Sequence, residues 1–161
     1  MPSDATPSPE ASPSGSRLSL AARTALDEGG ELARNIPGFA VRQAQQELAG
    51  AIGDAFDTRG TLLAEAGTGT GKTFAYLVPA LLSGKKTIVS TGTRALQDQL
   101  YHRDLPRVRD ALGIGLKTAL LKGRANYLCH YRMRQAQGEP RFATRELAAQ
   151  FQRIVAWSGR T

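Results

Sequence analysis

The chain has 161 residues, 41% of them hydrophobic and 22% charged, a composition that accommodates about one globular domain. No stretch reaches the roughly 18 apolar residues that a membrane helix needs, and the single cysteine, Cys129, excludes an internal disulfide framework, so the cytoplasm is the expected compartment. A formal net charge of +7 favours a polyanionic partner such as nucleic acid, although a merely basic protein has the same balance.

Residues 1–17 are rich in Ser, Pro and Ala, hold Asp4 and Glu10, and lack an apolar run. They are expected to form a disordered tail, not a signal peptide. From Leu18 to Arg34 a helical pattern (Leu18, Ala21, Ala22, Ala25, Leu26) breaks at Gly29-Gly30, and Pro37-Gly38 marks a turn, so residues 18–38 are expected to be an accessory segment. Arg42 to Phe56 places Leu48, Ala51, Ile52, Ala55 and Phe56 on one helical face. Thr61-Leu62-Leu63-Ala64 is a short apolar run bounded by turn signals, as a buried parallel strand would be.

A glycine-rich loop follows, then a helix from Thr73 to Leu82, which Pro79 is expected to kink or to end at its first half. Thr87-Ile88-Val89-Ser90 reads as a second strand. Helices are expected from Arg94 to about His102 and from Leu105 to Leu112, a third strand over Thr118-Ala119-Leu120-Leu121, and a helix from Thr144 to Trp157 with Thr144 as its cap. Strands alternating with helices imply an α/β fold, a parallel sheet with helices on both faces.

The loop carries the strongest chemistry. Binding a polyphosphate takes several backbone N–H donors facing one concavity, a helix N-terminus aimed at the charge, and a cation within reach. Ala66-Gly67-Thr68-Gly69-Thr70-Gly71-Lys72-Thr73 offers all three. Gly67, Gly69 and Gly71 permit backbone angles and approaches that a side chain forbids, Lys72 can reach the β- and γ-phosphates, and the Thr73 hydroxyl is placed for Mg²⁺. Ala66 stands where the strict P-loop pattern has glycine, and it is small enough to serve. The expectation is a P-loop NTPase that binds ATP with Mg²⁺.

Read with Glu65, this loop resembles motif I of superfamily 2 helicases, and the stretch from about Pro37 onward is similar to the iron–sulfur DNA helicases related to XPD, of the bacterial DinG and YoaA type. Phe39, Arg42 and Gln45 match the family's adenine-binding segment, where a glutamine amide both donates to and accepts from the base. Ser90-Thr91-Gly92-Thr93-Arg94 and the following Ala95 to Leu100 resemble its motif Ia, which implies that Ser90, Thr91, Thr93 and Arg94 contact the DNA backbone. Leu121 to Cys129 resembles the segment with the first cluster cysteine.

The resemblance implies a RecA-like sheet, residues 39–128 as the ATP-binding part of the first motor domain, and 129–161 as the start of an iron–sulfur domain. It also implies single-stranded DNA as partner, 5′ to 3′ unwinding in repair, and a monomer. A four-iron cluster takes about four thiolates, and the chain has Cys129 alone. Nor is there an apolar strand ending in Asp-Glu to complete the metal site. An N-terminal fragment with weak or no hydrolysis is therefore expected. Two other readings share Lys72 and Thr73 or the basic residues: a small phosphotransferase or other P-loop ATPase, and a DNA-binding remnant without catalysis.

Overall fold

The structure is a computed structural model that describes residues 15–138 and 141–160. All but the last three residues of the expected tail lie outside the described residues. Two compact units are present, one ending at Thr118 and the other beginning at Ala119.

In the first unit, α1 (Arg17–Ala25) starts where the Ser16 hydroxyl accepts from the Ser19 N–H at 3.1 Å. Its apolar side is made of short residues, so α1 lies close against α3 (Gln43–Thr58): a Cβ added to Gly53 would sit 2.6 Å from the Ser19 nitrogen. Leu18, Ala22, Ala25 and Leu26 are buried there, and α2 (Glu31–Asn35) adds Leu32, with Ile36 just beyond it. The stretch expected to be accessory thus supplies much of this unit's core. Ala75, Leu77, Val78 and Leu81 of α4 (Lys72–Leu82) complete it together with Leu100, Val108 and Ala111.

Asp54 on α3 fastens the start of α1. It accepts from the Ser16 backbone N–H at 2.7 Å and from the Ser19 hydroxyl at 3.2 Å. The Ser16 backbone bond is the largest of the influences that hold its carboxyl below the ordinary value. Nearby, Asp57 accepts from the Leu18 N–H at 3.4 Å and pairs with Lys85 at 3.8 Å.

Three expectations change. Of the two outcomes expected at Pro79, an end to the helix is excluded, since it runs on to Leu82; the bond that proline cannot make is offset by the burial of Ala75, Leu77, Val78 and Leu81 around it. The segment after Thr93 is α5 (Arg94–Gln99), a π-turn over Leu100–Asp104, and α6 (Leu105–Ala111), one nearly continuous rod where two helices were expected. Among the described residues there is no strand, so the structure does not show the sheet expected from Thr61 to Ala64, Thr87 to Ser90 and Thr118 to Leu121. A parallel strand needs ladder neighbours about 4.8 Å away and layers over both faces. Here Leu63 is 98% and Ile88 89% exposed, so neither has a covering layer.

In the second unit, α7 (His130–Gly138) and α8 (Arg145–Ser158) are linked by the Ser158 hydroxyl, which donates to the Met133 sulfur at 3.5 Å. Thr144 caps α8 as expected, accepting from Leu147 N–H at 3.2 Å, and Phe142 packs on Phe151 with centroids 4.9 Å apart.

Two outcomes follow. Asp54→Asn should lower stability at neutral pH by about 1 kcal/mol. Because the folded-state value is depressed, that contribution is fully present above the ordinary aspartate value near pH 4 and disappears as pH falls through the folded-state value, so the two melting curves should converge in acid. In contrast, Leu63→Lys and Ile88→Lys should each change stability by no more than about 0.5 kcal/mol in thermal melts.

Candidate functional site

The phosphate loop enters α4 through two glycines in the left-handed region, Gly69 and Gly71, both at φ 81°. Gly71 is the N-cap of α4; its positive φ strains any residue with a side chain, and a Cβ there would meet the Gln45 side-chain amide, which would have to shift. Lys72 is exposed and folds back over the loop, its Nζ donating to the carbonyls of Ala66 at 2.7 Å and Gly67 at 2.6 Å. Thr70 donates to the Gly67 carbonyl at 3.0 Å. Both Lys72 bonds are to neutral acceptors, so an incoming phosphate oxygen, being charged, can displace them.

Gln45 reaches this loop from α3. It is 2% exposed, its Nε2 donates to the Gly71 carbonyl at 2.8 Å, and its Oε1 is buried with no hydrogen-bond partner among the described residues. A buried amide oxygen left so costs about 1–3 kcal/mol. A ligand donor, such as an exocyclic amine on a base, would reach it only with a shift of the Gln45 amide toward the cavity. Gln45 shares a cavity of about 480 Å³ with Arg42, Phe39, Gly71, Lys72 and Thr73. Phe39 stacks on Phe74 of α4, with centroids 6.2 Å apart and planes 6° from parallel. Arg42 is exposed and its Nη1 donates to the Ala40 carbonyl at 3.4 Å. A nucleoside triphosphate fits this set: open glycine backbone, an ammonium, a hydroxyl for a hydrated cation and an unfilled acceptor.

The other expected residues fall elsewhere. Ala66, Gly67, Thr68 and Thr70 do not line the 480 Å³ cavity. Ser90 and Thr91 line a second, mostly apolar cavity of about 900 Å³ that also touches Lys72 and Thr73. Thr93 is the N-cap of α5, its hydroxyl accepting from Leu96 N–H at 3.2 Å, and Arg94 is exposed. Cys129 is exposed in the second unit, and among the described residues no three His, Cys, Asp or Glu side chains are grouped to hold a metal. An iron–sulfur cluster does not fit these residues. Sequence reasoning missed the bond from Gln45 to Gly71 and the placement of Arg103 and Asp104 on the same cavity.

Comparison with known proteins bears on the same residues. The DEAD/DEAH box helicase family matches residues 42–137, more than half of the chain. Over 132 residues, 82% of the chain, it is 51% identical to the ATP-dependent DNA helicase YoaA of Haemophilus influenzae. It is 57% identical over 106 residues, 66% of the chain, to the protein of the same name in Escherichia coli, and 52% identical over 96 residues, 55% of the chain, to the ATP-dependent helicase DinG of Mycobacterium tuberculosis. The aligned stretches cover 21%, 17% and 14% of those relatives, so the chain spans about a fifth of their length or less. No solved structure matches it.

Gly71→Ala should force the Gln45 amide off the loop and weaken Mg-ATP binding at least about tenfold in an equilibrium titration. Unchanged affinity would show that the loop geometry does not govern the site.

Proposed function

The chain belongs to the DEAD/DEAH box helicase family, and from that premise we propose that it is the ATP-binding portion of an ATP-dependent DNA helicase. The observation that carries the reading is the phosphate loop, two left-handed glycines leading into α4 with Lys72 folded over them. The names of the relatives, ATP-dependent DNA helicases, support the same activity for the longer protein.

In this reading Gly67, Gly69 and Gly71 present backbone amides to the phosphates, as do Ala66, Thr68 and Thr70 around them. Lys72 exchanges its two carbonyl acceptors for β- and γ-phosphate oxygens. The Thr73 hydroxyl would hold Mg²⁺, which would neutralise charge on the same phosphates. Arg42 and Gln45 hold the base, the buried Gln45 Oε1 accepting from its exocyclic amine. Ser90, Thr91, Thr93 and Arg94 take the backbone of single-stranded DNA; capping α5 occupies Thr93 only as an acceptor, so its hydroxyl proton stays available to a phosphate.

The segments Thr61 to Ala64 and Thr87 to Ser90 join a parallel, RecA-like sheet in the longer protein, which accounts for their apolar composition and present exposure. Action as a monomer, in the cytoplasm, with 5′ to 3′ polarity and a role in DNA repair completes the proposal. It rests on the family resemblance. Among the described residues no helix is long and apolar enough to cross a membrane.

Hydrolysis requires a group to position the attacking water and a second motor domain to close on the nucleotide. The 161 residues show neither, so the isolated chain should bind Mg-ATP and turn it over slowly or not at all. Lys72→Ala should weaken binding of a fluorescent ATP analogue at least about tenfold with the thermal melt unchanged. Equal affinity in that variant would overturn the assignment of the loop. DNA-stimulated ATP turnover by the 161-residue chain would overturn its incompleteness.

A further inference from the structure

We propose that Arg103 is a phosphate-contacting residue of the nucleotide cavity, aimed there by the buried carboxylate of Asp104. This rests on the ATP-binding reading and adds to it a cation from outside the glycine loop.

The case begins with the π-turn. Between α5 and α6 the Leu105 N–H bonds the Leu100 carbonyl five residues back instead of four. In a regular α-helix residues five apart diverge around the axis, whereas an i→i+5 turn brings them onto one side. That is what Gln99 and Asp104 show: the Gln99 Nε2 donates to Asp104 Oδ2 at 3.0 Å. The other Asp104 oxygen accepts from Arg103 Nε at 2.9 Å. Both carboxylate oxygens are engaged, and the Asp104 side chain is only 7% exposed.

Arg103 differs from Asp104 in exposure. Its side chain is 60% exposed and lines the 480 Å³ cavity together with Gly69, Gly71, Lys72 and Thr73. Asp104 is the sole carboxylate lining that cavity among the described residues, where an anion of about four charges is to bind. Unpaired, it would oppose the ligand. Paired through Arg103 Nε, its charge is compensated, and the guanidinium it holds has further donors in a plane suited to two phosphate oxygens. Arg109 and Asp110 on α6 make a similar adjacent pair at 2.9 Å, so what sets Arg103 apart is the burial of its partner and its place on the cavity. Asp104 therefore acts as a positioning residue, and Arg103 makes the contact.

The test is equilibrium binding of Mg-ATP, ADP and AMP to the 161-residue chain and its variants, each first shown to melt as the parent does. Arg103→Ala should weaken ATP about tenfold and leave AMP nearly unchanged, and Arg103→Lys should recover part of the loss. Asp104→Asn should weaken ATP less, and adding it to Arg103→Ala should cause no further loss, because it works through the same guanidinium. If Arg103→Ala lowers the melting point, Arg103→Gln supplies the same comparison. Wild-type affinity for ATP in the arginine variants while Lys72→Ala loses it would overturn the Arg103 assignment and leave the ATP reading standing. Equal losses for ATP and AMP would overturn it too. A parent chain that binds no ATP, with or without Mg²⁺, would remove the ATP reading and this inference with it.

Discussion

One hydrogen bond, from the buried Gln45 amide to the Gly71 carbonyl, joins the helical core to the phosphate loop. It fixes the last turn of the loop relative to α3, and it is available only because Gly71 adopts a left-handed angle with no side chain. The remainder of the first unit keeps that donor in place. Asp54 and Gly53 bring α1 close against α3, and the buried leucines of α1 and α2 seal the outer side. The N-terminal helices thus bear on function through packing: they hold the helix that holds the glutamine that braces the loop.

The same bond leaves Gln45 Oε1 buried without a partner, a deficit located where a base would lie. Lys72, meanwhile, rests on two loop carbonyls. In the proposed reading a nucleotide would give Lys72 charged acceptors in place of neutral ones and give Gln45 Oε1 a donor. Phe39 against Phe74 adds an apolar wall on the first turn of α4.

Legibility in the sequence followed the range of the interactions. The phosphate loop was readable because its chemistry is local: glycine, lysine and threonine at fixed offsets before a helix. Helices α3, α4 and α8 were readable from spacing and caps. The core role of α1 and α2 was not, because short residues such as Ala22 and Ala25 give a faint apolar signal and matter only against Gly53 of another helix. Strands at Leu62-Leu63 and Ile88-Val89 were expected from composition, but a strand depends on neighbours that composition cannot supply. Arg42 and Gln45 were picked out as base-binding residues, whereas the brace from Gln45 to Gly71 depends on residues 26 apart in sequence. The π-turn that pairs Gln99 with Asp104 leaves no mark on the residue pattern.

The most direct measurement is a titration of the ¹⁵N-labelled chain with Mg-ATP followed by amide resonances. The account predicts that shifts concentrate on the backbone of Gly67 to Thr73 and on the Gln45 side-chain amide. Saturable shifts that spare both the loop and Gln45 would contradict it.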